Sequence, residues 1–161
     1  MVQVRRVIEK KLSIVPRRKV VDKMLADIIA LINENDVSVT IDIPTALTIK
    51  GVLAYVESII LNLVTNAIKY RNREKKATLT IQASLDSEYV LLSVEDNGLG
   101  IDMDKYGQKL FGMYKTFHGN DDARGIGLFI TKNQIESMGG RITVESKVGT
   151  GTRFMVKLLK G

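Results

Sequence analysis

Apolar residues recur at helical spacing over residues 18–34, at Val21, Met24, Leu25, Ile28, Leu31 and Ile32, and predict a helix there. The period then changes. Val37, Val39, Ile41 and Ile43 alternate with Ser38, Thr40 and Asp42, the pattern of a half-buried strand, and Pro44 closes it. A longer helix is expected over about 52–70, with Val52, Val56, Ile59, Ile60, Leu63 and Ala67 on its apolar face. Leu79, Ile81, Ala83 and Leu85 alternate next, followed by Val90, Leu92 and Val94. These read as two antiparallel strands turning near Asp86-Ser87, the second ending at Asp96. Residues 102–124 have weaker periodicity and read as a short helix and a mobile loop, a length of loop that is usually functional or disordered. Gly125–Met138 resumes as a helix stopped by Gly139-Gly140. Arg141–Lys147 and Thr152–Leu158 form a hairpin through Val148-Gly149-Thr150-Gly151. Residues 1–11 fit the end of a helix, broken near Pro16. Consecutive strands pair as hairpins, so the pattern predicts an α+β fold. Its helices pack on one face of a mixed, mostly antiparallel sheet, and it is not doubly wound.

Composition narrows the chemistry. Hydrophobic residues make up 45 % and charged residues 26 % of the 161, which supports a folded body with a core. No apolar run approaches the roughly 18 residues of a membrane span, and no signal-peptide pattern opens the chain. There is no cysteine and one histidine, which excludes disulfides, thiolate metal sites and multi-histidine zinc sites. A cytoplasmic domain fits these facts, whether or not a parent protein is anchored in a membrane. The net charge of +6 resides in residues 1–23, which hold eight Lys or Arg against two acids. That stretch, with Arg5, Arg6, Lys10, Lys11, Arg17, Arg18 and Lys19, reads as a solvated flank. No aromatic residues interleave with it, and nucleic acid is not expected as a partner.

Three segments carry candidate chemistry. Asn62, Asn66, Lys69 and Tyr70 lie three and four residues apart and share one stripe of the long helix. An amide oxygen can ligate Mg2+ without adding charge, and magnesium takes few protein ligands when phosphates and waters complete its octahedron. Asn66 suits that role. Asn62, one turn earlier, suits a metal-bound water or a phosphate. Lys69 can pair with phosphate as a point charge, and Tyr70 can cover the flat face of a base. Asp96 ends a strand at Asp96-Asn97-Gly98-Leu99-Gly100-Ile101, where a carboxylate can accept from the exocyclic amine of adenine; the same sequence is also a common turn. Gly98 and Gly100 are read as letting backbone approach the base. Arg124-Gly125-Ile126-Gly127-Leu128 opens a helix whose free N–H groups suit phosphate, with Arg124 just ahead of it, either reaching the terminal phosphate or solvated.

Taken together these segments resemble the catalytic ATP-binding domain of a sensor histidine kinase, in the GHKL ATPase superfamily that also holds gyrase-type ATPases, a chaperone and mismatch-repair proteins. The resemblance covers residues 14–160. It runs through an asparagine box at Asn62–Tyr70, an adenine box at Asp96–Ile101, and a phenylalanine box from Leu110 to Phe117. A second glycine box at Gly125–Leu128 and Gly149-Thr150-Gly151-Thr152-Arg153-Phe154 complete it. It implies a two-layer α/β sandwich with an ATP lid at about 102–124. It further implies Mg2+ at Asn62 and Asn66, phosphates at Lys69, the base at Tyr70 and the adenine amine at Asp96. Ile101, Leu128 and Thr152 join the nucleotide-binding set. Residues 1–13 are then a flank that fits the end of a dimerisation helix, and 14–161 the catalytic domain.

Asn62 bears on the branch. Hydrolysing relatives and anti-sigma serine kinases resemble this pattern but place an acid there, which can take a proton from water or serine. An amide cannot, and a neutral imidazole is already a nucleophile. The pattern therefore favours phosphoryl transfer to histidine. His118 lies in the lid without the context of a phosphoacceptor, so autophosphorylation of this chain alone is not expected. The implied partners are a histidine-containing dimerisation domain and a response regulator, with this piece monomeric and its parent a homodimer. An autonomous serine kinase or ATPase, or a nucleotide-sensing interaction module, are the alternatives.

Overall fold

A computed structural model of the chain describes residues 2–12, 23–112 and 123–161. Its elements run β1 (Val2–Gln3), α1 (Val4–Leu12), α2 (Lys23–Glu34), β2 (Ser38–Asp42), β3 (Thr48–Ile49), α3 (Leu53–Lys69), β4 (Thr78–Asp86), β5 (Tyr89–Asp96), α4 (Met103–Tyr106), α5 (Ala123–Ser137), β6 (Arg141–Lys147) and β7 (Gly151–Leu159).

Five strands form the main sheet in the order β2-β4-β5-β7-β6. The β4–β5, β5–β7 and β6–β7 pairs are antiparallel, and β2 joins β4 in parallel. Parallel neighbours need a crossover, and α3 lies in the connection between β2 and β4. This is the expected mixed sheet. Alternate residues of the central strands, including Ile81, Leu92, Val94, Phe154 and Val156, are buried on one face with Val56, Ile60, Leu63 and Ala67 of α3. The period-2 strands and the 3.6-period helix thus present their apolar sides to a common core. The β4–β5 turn falls at Ser87, whose φ of 56° is left-handed.

The N-terminal stretch departs from the expectation of a solvated flank. β1 pairs with β3, Val2 opposite Ile49, and α1 packs against α3. Val2, Val4, Val7 and Ile8 are buried in the same core, while Arg6 stays exposed. Val4, Val7 and Ile8 stand at helix spacing, so one face of α1 is apolar despite its charge. In the expected lid, α4 is followed by a short 3-10 turn at Gly107–Lys109. Met113–Phe117 and His118 lie outside the described residues.

Candidate functional site

The polar stripe of α3 forms because seven residues of the helix are buried, Val56, Ile59, Ile60, Leu63, Val64, Ala67 and Ile68, and Asn62, Asn66 and Lys69 fall beside them. Asn62 donates through Nδ2 to the hydroxyl of Thr131 on α5 at 3.1 Å. Thr131 is fully buried. This bond fixes the rotation of the Asn62 amide, so Nδ2 faces α5 and Oδ1 is held on the other side. Asn66 has a different situation: its Nδ2 is buried with no hydrogen-bond partner among the described residues. A buried amide hydrogen without an acceptor costs about 1–3 kcal/mol, so this group has room for an acceptor such as a water or a ligand oxygen. Lys69 places Nζ 5.5 Å from the centre of the Tyr70 ring. Tyr70 caps α3, and its carbonyl oxygen accepts from Leu99 N–H at 3.1 Å, joining helix end to glycine loop.

The strand ends supply the second wall. Asp96 stands opposite Thr152 across β5–β7, and Ser146 stands opposite Thr152 across β6–β7. Alternation puts these three on the face shared with buried Val94 and Phe154, so one cross-strand row carries a carboxylate and two hydroxyls to the end of the sheet. One carboxylate oxygen of Asp96 accepts from Gly98 N–H at 2.8 Å. Ser146 Oγ accepts from Ile101 N–H at 2.8 Å and lies 2.7 Å from Thr152 Oγ1. A cavity of about 300 Å³ lies at this end of the sheet; it is lined by Asp96, Ser146 and Thr152 but also by Glu95, Glu145 and Arg153 of the opposite-facing row, and it reaches no residue of α3, α5 or residues 97–101. A larger one, about 410 Å³, lies on the face of the sheet turned away from the core, beside Gln82, Ser93 and Met155, and contains none of the candidate residues.

The two glycines of the loop have a reason that the sequence reading assigned differently. A Cβ on Gly98 would stand 2.6 Å from the Tyr70 carbonyl oxygen, and one on Gly100 would stand 2.1 Å from that of Lys147. Gly100 also has a φ of +75°, a region that glycine adopts without steric cost. What excludes a side chain at both positions is this chain's own backbone. A base would meet a loop already fixed by protein contacts.

Arg124, Gly125 and Gly127 all lie within the first turns of α5, so Arg124 is helical and not ahead of the helix. A Cβ at Gly127 would meet nothing within 4 Å. Leu128 is fully buried, and so is Leu110; Phe111 packs edge-on against Phe154 with ring centres 6.5 Å apart. Among the described residues no three His, Cys, Asp or Glu converge as a metal site.

Sequence reading missed Thr131, Asn97 and Ser146. Asn97 clamps the start of β4, accepting from Thr78 N–H and donating to the Lys76 carbonyl, both at 2.9 Å. Thr131 and Asn97 act through residues 69 and about 20 positions away, and Ser146 joins distant Ile101 to its own hairpin partners Gly151 and Thr152.

The family model described as histidine kinase-, DNA gyrase B- and HSP90-like ATPase matches residues 51–161. Cyanobacterial phytochrome A of Nostoc sp. is 35 % identical over 139 residues, covering 84 % of this chain and 18 % of that protein. The methanogenesis regulatory histidine kinase FilI of Methanothrix harundinacea is 34 % identical over 103 residues, covering 64 % of this chain and 12 % of that protein. The chain thus spans less than a fifth of either relative. Among solved structures, a mycobacterial sensor histidine kinase, MprB, superposes with a TM-score of 0.72 at 18 % identity, covering 99 % of this chain and 97 % of that one, a likeness of fold. The matched span includes α3, the glycine loop, α5 and the last hairpin, and on that ground the chain belongs to the histidine kinase-, DNA gyrase B- and HSP90-like ATPases, as a catalytic ATP-binding domain of the sensor histidine kinase kind.

Proposed function

We propose that this domain donates the γ-phosphoryl group of ATP to a histidine on a separate dimerisation domain, with the product passed on to a response regulator. The observation that carries this reading is the pair of amides on α3. Asn62 is neutral and locked to Thr131, so it has no proton-accepting role toward water or a hydroxyl. A neutral imidazole nitrogen needs none: as its bond to the γ-phosphorus forms, the bond from that phosphorus to the β-bridging oxygen breaks and ADP leaves. Catalysis is then positioning and charge neutralisation.

The unpartnered Nδ2 of Asn66 fits a site completed by phosphate oxygen, and amide oxygens suit magnesium. Asn62 and Asn66 would hold Mg2+, which when bound neutralises phosphate charge. Lys69 and Arg124 pair with phosphates, and the α5 N-terminus with Gly125 and Gly127 offers backbone N–H groups to them. Asp96 accepts from the adenine amine; Tyr70, Gly98, Gly100, Ile101, Leu128 and Thr152 shape the base pocket. The isolated domain is a monomer acting in the cytoplasm. No helix among the described residues is long and apolar enough to cross a membrane.

The test is incubation with radiolabelled Mg-ATP, alone and with a histidine-bearing dimerisation hairpin added in trans. Alkali-stable, acid-labile phosphate on the hairpin is the expected product, with little on this chain. Steady phosphate release by the chain alone would point to an ATPase. Labelled serine would point to a serine kinase, and binding without any transfer to a nucleotide-sensing module.

A further inference from the structure

A serine hydroxyl carries one hydrogen and two acceptor lone pairs. Ser146 Oγ accepts from Ile101 N–H at 2.8 Å, lies 2.9 Å from the Gly151 carbonyl oxygen, and lies 2.7 Å from Thr152 Oγ1. A carbonyl oxygen only accepts, so the single Ser146 hydrogen goes to Gly151. The bond to Thr152 must then run from Thr152 O–H to Ser146 Oγ. All three valences of Ser146 are used, and Thr152 commits its own hydrogen within the network. What the Thr152 oxygen turns outward is lone pair. Thr152 is 6 % exposed and shares its sheet row with Asp96.

We propose that Ser146 is a positioning residue that sets base specificity by locking Thr152 as a hydrogen-bond acceptor. The base end of the pocket then presents two acceptors, the Asp96 carboxylate and the Thr152 oxygen, to a purine with a 6-amino group, directly or through a water that donates to them. A 6-oxo purine brings an acceptor to the same place, and a locked Thr152 has no hydrogen with which to meet it. The same Ser146 oxygen holds Ile101, so one atom fixes both the glycine loop and the polarity of the hydroxyl beside it. This inference rests on the ATP-pocket reading and deepens it.

The experiment is calorimetric binding of ADP and of inosine diphosphate, its 6-oxo counterpart, to the wild-type chain, Ser146→Ala, Ser146→Thr, Thr152→Val and the Ser146→Ala/Thr152→Val double variant. Ser146→Ala is expected to lower the ratio of ADP to inosine diphosphate affinity about fivefold to tenfold, the worth of one hydrogen bond. Thr152→Val should do the same, the double variant no more than either, and Ser146→Thr should keep the ratio. Should Ser146→Ala fail to fold, Thr152→Val against Thr152→Ser decides, with the hydroxyl-bearing variant keeping the ratio. An equal loss for both nucleotides, with the ratio unchanged, overturns the proposal and leaves Ser146 a loop anchor. A wild-type chain that binds both nucleotides alike, or neither, brings down the pocket reading and this proposal with it.

Discussion

Asn62 and Thr131, 69 residues apart, meet across the α3–α5 seam at 3.1 Å, with the Thr131 hydroxyl shut away from solvent. The contact makes the orientation of a candidate site amide depend on a buried threonine of another helix. Thr131→Val keeps the shape and removes the acceptor. We expect it to cost about 1 kcal/mol of stability and to reduce the gain in nucleotide affinity from Mg2+ about fivefold, measured by calorimetry with and without the metal. Asn66→Ala should abolish most of that gain, and an unchanged metal dependence there would refute the assignment of the metal site.

Asp96→Asn should weaken ADP binding about tenfold to a hundredfold, since a hydrogen bond to a charged group is worth roughly 1.5–3 kcal/mol. The bond from Gly98 N–H to Asp96 at 2.8 Å survives through the remaining amide oxygen, so the loop should hold its shape. An unaltered dissociation constant would remove Asp96 from the base contact.

Glycine substitutions separate folding from binding. Gly100→Ala forces a Cβ to 2.1 Å from the Lys147 carbonyl oxygen at a φ of +75°, and a clear fall in melting temperature is expected. Gly127→Ala meets open space within a helix, where alanine is favoured by up to about 1 kcal/mol. Gly127→Ala should therefore fold at least as well as the wild type. Weakened ATP binding in that stable variant would report that the phosphates approach the helix closely, and unchanged binding would show that they do not.

Ile8→Ala tests the N-terminal helix. Ile8 is fully buried, and truncating a buried isoleucine costs about 2–5 kcal/mol. A loss of that size in denaturant unfolding is expected; a change below about 0.5 kcal/mol, the usual effect of a surface substitution, would mean that α1 detaches in solution.

The long helix and both hairpins were legible in the sequence because each has a clean period, as Val56-Ile59-Ile60-Leu63 and Leu79-Ile81-Ala83 show, and because each strand's partner is the next strand. The candidate residues of α3 and Asp96 could be singled out for the same reason, being local. The packing of α1 was not, although Val4, Val7 and Ile8 carried the signal, because eight basic residues in the first 23 suggested a solvated stretch. The Ser146 network escaped as well. Its members at 101, 146 and 152 meet through sheet register and a loop return, which local spacing does not encode. The role of Gly98 and Gly100 was attributed to the base, and the neighbours that exclude a side chain are Tyr70 and Lys147.

The most direct measurement of the central claim is calorimetric titration of the chain with ADP and a non-hydrolysable ATP analogue, with and without Mg2+, and with GTP as control. The account predicts adenine-selective binding that strengthens with Mg2+. Binding of GTP as tight as that of the ATP analogue, or no response to the metal, would contradict it.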